Sequence, residues 1–172
     1  MDSRNAWNSA ADAWREFVRW GADYYRLEVH GPALLASCGS VAGLEVLDLG
    51  CGEGYFSREL AQKAARVTAI DVSEEQLRSA RQEEEPQPLG IDNVHLDARA
   101  IAERWPAGTF DLITGCMALA DMPDLERVVQ GAHALLRPDG RLVFSAPHPC
   151  TDTPVREWER DATRRKLSLK ID

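Results

Sequence analysis

Three glycines at alternate positions, Gly50, Gly52 and Gly54, with acids at Asp48 and Glu53, are the residues of this chain best suited to chemistry. Without a Cβ at these positions a ligand can lie directly on the backbone, and the chain can take the positive φ that such turns need. Glu53 argues against a phosphate, since amides at a helix start attract anions and a carboxylate beside them would repel one; a cationic or zwitterionic ligand suits the turn better. Two further acids stand at strand-like ends. Asp71 closes Arg66-Val67-Thr68-Ala69-Ile70 and is placed to accept from the vicinal hydroxyls of a ribose. Asp97 closes Asn93-Val94-His95-Leu96, where it can accept from an adenine amino group while the Ala98 amide donates to a ring nitrogen, or else cap a helix.

These residues need a scaffold, and the pattern supplies one. Leu44–Leu49, Arg66–Asp71, Asn93–Asp97, Phe110–Thr114 and Arg141–Ser145 are short apolar runs, the first unbroken as in a strand buried on both faces. Helical spacing fills the gaps: Phe56, Leu60 and Ala64; Leu77 and Ala80 after a Ser73/Gln76 capping-box pattern; Ile101 and Trp105; and a long stripe from Leu125 to Leu136. Glu83-Glu84-Glu85-Pro86 reads as a solvated helix end, and Pro138-Asp139-Gly140 as a turn. Alternating strands and helices predict an α/β fold, a doubly wound, mostly parallel sheet with right-handed crossovers. Its ligand site is expected beyond the carboxyl ends of the strands, where the glycine turn, Asp71, Asp97 and the segment after Thr114 meet.

Ahead of this unit, Trp7, Ala10, Ala11, Trp14, Phe17 and Val18 stripe an amphipathic helix ending near Gly21. Its aromatics pack on the domain or form a lid over a ligand. A second helical stretch carries Tyr24, Tyr25, Arg26 and His30, and Pro32 suits the first turn of another. The organisation expected is a helical leader or lid over 1–39, a ligand-binding domain over 40–150 and an extension over 151–172, where Leu167, Leu169 and Ile171 hint at one more strand.

Composition narrows the function. With 20 basic and 28 acidic residues the formal charge is −8, which opposes a phosphate-tracking surface and hence nucleic acid. The widely spaced Cys38, Cys51, Cys116 and Cys150 fit neither a zinc site nor a disulfide framework, so no metal and a cytoplasmic setting are expected. No apolar stretch approaches a membrane span.

Together, Val46-Leu47-Asp48-Leu49-Gly50-Cys51-Gly52-Glu53-Gly54, Val67–Asp71, Phe110-Asp111-Leu112-Ile113 and Leu135-Leu136-Arg137-Pro138-Asp139-Gly140-Arg141-Leu142 resemble the class I S-adenosylmethionine-dependent methyltransferases, over roughly residues 40–150. The likeness is to the small-molecule branch related to the ubiquinone/menaquinone methyltransferases (methyltransferase type 11). It implies S-adenosylmethionine as cofactor, S-adenosylhomocysteine as product and a small molecule as methyl acceptor at N, O or C. By the same resemblance Asp48 and the backbone of Gly50, Cys51, Gly52 and Gly54 surround the methionine part. Asp71 binds the ribose, Val72 packs on the adenine, Asp97 and Ala98 read its edge, and Cys116 and Met117 line the sulfonium side. The family pattern normally continues past strand five with a helix and an antiparallel strand pair, whereas this sequence stops at Asp172; an edge completed by a second copy, giving a homodimer, is one expectation.

Methyl transfer from a sulfonium is catalysed chiefly by orientation, with a general base needed only for a protonated acceptor. His148 beyond strand five, Asp121 before Met122-Pro123 and His30 beside Gly31-Pro32 are the candidates, Asp121 doubling as an N-cap and His30 as a loop residue. Two other readings are weighed. An NAD-dependent dehydrogenase would use a similar strand-turn-helix and the same acid at Asp71, but the turn here is GxGxG and no Tyr-x-x-x-Lys pair or metal constellation supports it. A cofactor-binding but inactive or regulatory subunit rests on the departure from the family pattern after strand five.

Overall fold

The computed structural model describes residues 3–19, 23–148, 156–160 and 167–171. The leader contributes α1 (Ser3–Arg19), a π-helix (Tyr25–His30) and α2 (Gly31–Cys38). There follow β1 (Glu45–Leu49), α3 (Tyr55–Gln62), β2 (Arg66–Asp71), α4 (Glu74–Glu84) and β3 (Asp92–His95). A 3₁₀ turn (Ala98–Ala100) runs into α5 (Ile101–Arg104), then come β4 (Phe110–Cys116), a 3₁₀ turn (Leu119–Asp121), α6 (Leu125–Leu135) and β5 (Leu136–Ser145). Last are β6 (Arg156–Arg160) and β7 (Leu167–Ile171), an antiparallel pair in a sheet of their own. The expected strand at Leu167–Ile171 is therefore present together with a partner that the polar sequence of 156–160 does not announce. The end of α1 near Gly21, and Pro149 and Cys150, lie outside the described residues.

The main sheet has the order β3-β2-β1-β4-β5 and every pairing in it is parallel. Its centre is apolar on both faces because successive side chains point to opposite sides. Val46 joins a cluster with Leu34, Phe56, Leu60, Val67 and Leu112, whereas Leu47 and Leu49 join Ile70, Ile101, Ile113, Val128 and Leu135. Each fully buried Leu, Ile or Val of these layers contributes roughly 1.5–3 kcal/mol. The doubly wound α/β fold is as the sequence predicts.

Three local readings change. Leu136 is not the end of the helical stripe: it starts β5 and pairs with Phe110, while Arg141 pairs with Leu112. Residues 137–140 are thus a bulge inside the strand, with Asp139 at φ 66°, so the expected Pro138-Asp139-Gly140 turn is folded into β5. Arg137 Nη1 lies 2.8 Å from both carboxylate oxygens of Asp111 and staples the bulge to β4. Glu84 is more than a solvated helix end, since its Oε1 accepts from the amides of Leu89 (2.8 Å) and Ile91 (3.1 Å) and secures the loop into β3.

Candidate functional site

The strand order reverses at β1, between β2 and β4, which is where a doubly wound sheet opens a crevice at its carboxyl edge. The glycine turn fills that position. Gly50 and Gly52 have φ of 63° and 56°, and a Cβ on Gly50 would stand 2.6 Å from that of Ala118. Gly54 behaves differently: it starts α3 at φ 82°, faces Ala80 and Arg58, and does not line the cavity. A Cβ there would stand 3.0 Å from that of Ala80, so packing against α4 also requires a glycine at this position.

Above the turn lies a cavity of about 940 Å³, at the upper end of the range for small-molecule sites. Asp48, Gly50, Cys51, Gly52, Asp71, Val72, Asp97, Ala98, Cys116 and Met117 all line it. So do His30, Asp121 and His148, together with Trp7, Trp14, Tyr25, Tyr55 and Gln76. Sequence elements more than a hundred residues apart therefore share one wall.

Asp48 is 1% exposed, and its two oxygens accept from Ser57 Oγ (2.6 Å) and Thr114 Oγ1 (2.8 Å). Burial raises its pKa to about 6 despite those hydroxyls. Asp71 is almost as buried. Its Oδ2 accepts from the Gly52 amide and its Oδ1 from the Ser73 amide, both at 2.8 Å. Burial pushes its pKa up as well, with the Ser73, Gly52 and Val72 amides opposing. The carboxylate thus sets the shape of the glycine turn, and each oxygen keeps a further acceptor site.

Asp97 takes the capping alternative: it caps the 3₁₀ turn through the Arg99 amide (2.9 Å) and pairs with the Arg99 guanidinium (2.7 Å to Nη2). That hydrogen bond holds its pKa below the ordinary value. Asp121 is not the N-cap of α6; Asp124 is, accepting from the Arg127 amide (3.4 Å), and Asp121 sits exposed in the preceding 3₁₀ turn. His148 is exposed at the rim.

Glu53 also departs from expectation. It is 5% exposed, and its carboxylate is taken by Arg26 Nη1 (2.5 Å) and Arg58 Nη2 (2.8 Å). Its charge is balanced by two arginines at the cavity wall, which Glu53 also lines. Arg26 in turn lies 4.6 Å over the Tyr55 ring, so this buried pair locks the leader onto the glycine turn.

His30 ends the π-helix, a geometry frequent at functional sites. It is half-buried, not a loop residue, and its Nδ1 is 3.7 Å from Cys116 Sγ. Burial lowers its pKa, with Asp23 opposing and Arg26 adding, which keeps the imidazole neutral at physiological pH. Burial raises the Cys116 thiol to about 12, so it stays protonated. The adjoining Met117 has φ 56°, held there as its amide donates to Ser145 O (3.1 Å) and Oγ (3.0 Å).

Sequence reasoning missed Gln76 as a wall residue. The capping-box pattern points to it, and Ser73 Oγ does accept from the Gln76 amide N–H (3.2 Å), but the side chain does not return the bond. Among the described residues no group of His, Cys, Asp and Glu could hold a metal, and no helix is long and apolar enough to cross a membrane.

The wall fits an adenosyl cofactor. A backbone cradle that excludes Cβ atoms and buried carboxylates beside it suit a neutral-to-cationic ligand rich in hydroxyl and amino groups. Residues 40–169 match the family model described as "Methyltransferase domain". Ubiquinone biosynthesis O-methyltransferase of Pseudomonas aeruginosa (strain UCBPP-PA14) is 37% identical over 105 residues, 61% of this chain and 45% of that protein. Nocamycin O-methyltransferase of Saccharothrix syringae is 36% identical over 119 residues, 67% and 41% of the two chains. The chain spans less than half the length of either relative. The crystal structure of an S-adenosylmethionine-dependent methyltransferase from Mesorhizobium loti superposes with a TM-score of 0.68 at 35% identity, covering 82% of this chain and 63% of that one. With the glycine turn, its buried acids and the family match converging on one cavity, the chain belongs to the S-adenosylmethionine-dependent methyltransferase domain family.

Proposed function

We propose that this chain methylates a hydroxyl of a small, largely apolar acceptor, with His30 as the general base. Bound S-adenosylmethionine supplies a methyl group on a sulfonium whose departure leaves a neutral sulfide. Holding that donor falls to Asp48 and the backbone of Gly50, Cys51 and Gly52 for its amino-acid part, and to Asp71 for its ribose. Val72, Asp97 and Ala98 serve the adenine, and Cys116 and Met117 the sulfonium side.

The observation that carries the acceptor reading is His30. It is a half-buried imidazole kept neutral by burial, on a cavity wall that also carries Trp7, Trp14, Tyr25, Val29 and Pro147. Nδ1 faces Cys116 Sγ (3.7 Å), and in the tautomer that carries its hydrogen on Nδ1 the Nε2 lone pair is the one that takes the hydroxyl proton. The aromatic leader excludes water and orients the acceptor, which is the main requirement of the reaction. An O-acceptor also agrees with the two O-methyltransferases that this chain resembles. Asp121 and His148, both exposed, stand as acceptor-site groups, in keeping with their place in the same cavity.

The test is S-adenosylhomocysteine formation on a panel of phenols, enols and amines, for wild type and His30→Gln. The expected result is turnover of a hydroxyl compound that falls by about 10²-fold or more in the variant, with donor affinity retained in calorimetry. Turnover of amines alone, or an unimpaired variant, would contradict the assignment. The same reading sets the protein in the cytoplasm with free thiols at Cys38, Cys51 and Cys116, and pairs two copies along β5, which ends the sheet. Sedimentation velocity checks the latter.

A further inference from the structure

The π-helix that carries His30 is fixed to the domain on either side of that residue. Four positions earlier, Arg26 Nη1 meets Glu53 Oε1 at 2.5 Å, and its guanidinium lies 4.6 Å over the Tyr55 ring. One position later, Gly31 approaches Tyr55 so closely that a Cβ there would stand 2.7 Å from the phenol oxygen. Glu53 and Tyr55 flank Gly54 where the glycine turn enters α3, so both points of attachment belong to the segment that cradles the donor.

Glu53 is itself held from two directions. Its Oε2 accepts from Arg58 Nη2 (2.8 Å) on α3, so the carboxylate is anchored to the domain by Arg58 and to the leader by Arg26. A buried ion pair of this kind carries a desolvation cost that an apolar contact would avoid. What it adds is direction, because a guanidinium meets a carboxylate along the fixed fork of its N–H groups. The imidazole held in this way faces Cys116 Sγ on β4, with Asp23 and Arg26 as the charges that act on it.

Resting on the reading of His30 as the general base, we infer that Glu53 is a positioning residue for methyl transfer: through Arg26 it fixes the imidazole relative to the donor cradle. The turn from Gly50 to Tyr55 then serves both reactants, the donor through its backbone and the base through the side chains of Glu53 and Tyr55. Methyl transfer depends on orientation, so a single short segment sets the distance that matters most.

Glu53→Gln separates this role from plain electrostatics by the sign of one shift. Removing a nearby negative charge while His30 stays in place would lower its pKa further. Releasing the π-helix exposes the imidazole instead and brings the pKa up to about 6.5, the ordinary value. The rise is the expected result, read by NMR titration of the His30 ring and assigned with His30→Gln. Arg58→Met takes a partner from the same carboxylate but leaves the leader tied, so His30 should titrate there as in wild type. Arg26→Lys keeps the charge beside His30 and loses the planar fork, so a rise is expected in it too, and it covers a Glu53→Gln chain that does not fold. No rise in either variant, or an equal rise in Arg58→Met, would overturn the inference. The acid limb of kcat/KM for a hydroxyl acceptor should move with His30. An acid limb that stays put while the imidazole shifts would sink the base reading rather than the placement of the ring.

Discussion

Replacing Asp48 by Asn should make this protein more resistant to unfolding at neutral pH and leave it little changed in acid. Asp48 is buried at the end of β1 and titrates near 6, held up by desolvation, whereas an unfolded chain would release that proton near 3.9. Between those values the folded state binds more protons than the unfolded one, so stability falls as pH rises through this window and levels off above it. At roughly 1.36 kcal/mol per tenfold in acidity, the gap amounts to about 3 kcal/mol. Asn keeps the site's shape, and both partners, Ser57 and Thr114, are hydroxyls able to rotate between donating and accepting. Urea unfolding of both proteins at a series of pH values gives the difference in stability directly. It should move in favour of Asn by about 2 kcal/mol from about pH 4 to about pH 7, the rest of the gap lying below pH 4. A difference that stays flat, or moves toward wild type, would refute the account of Asp48 as a carboxylate held in place against its desolvation cost.

Glu53→Gln removes the charge at the centre of a buried network and leaves Arg26, among the described residues, with the longer ion pair to Asp23 (3.7 Å) and the Tyr55 ring, so roughly 3 kcal/mol of stability should be lost in denaturant unfolding. A loss under about 0.5 kcal/mol would show that the arginines are satisfied by water instead. For His30, burial lowers the pKa below 6.5 and the base must be unprotonated, so kcat/KM should rise with pH on the acid side of 6.5 and be flat above it. A rise centred above 6.5 would point to another group.

Strands β1, β2 and β4 are legible in the sequence because both faces are covered, which demands unbroken apolar runs such as Val46-Leu47 and Leu112-Ile113. The glycine turn is legible for the same kind of reason, since only glycine meets its steric demands at Gly50. What the sequence hides is pairing at a distance. Glu53 looks like a charge offered to a ligand until Arg26, 27 positions earlier, is brought onto it. His30 looks like a loop residue because the hydrogen bond from the Gly31 amide to Arg26 O, which makes the turn a π-helix, has no signature in residue type. The β5 bulge is hidden likewise, because Pro138-Asp139-Gly140 suits a turn and a bulge equally, and only the pairing of Arg141 with Leu112 distinguishes them. Gln76 shows the complementary case: the capping pattern is correct at the backbone, but Asp71 competes for the Ser73 amide and redirects the side chain.

The central claim is that this cavity holds S-adenosylmethionine on a glycine turn shaped by Asp71. Titrating S-adenosylmethionine into wild type and Asp71→Asn by calorimetry tests it most directly. The variant has one carboxylate oxygen fewer for the Gly52 and Ser73 amides, so binding by wild type and a loss of at least about tenfold in the variant are expected. Absence of binding by wild type, or equal affinity in the two proteins, would contradict it.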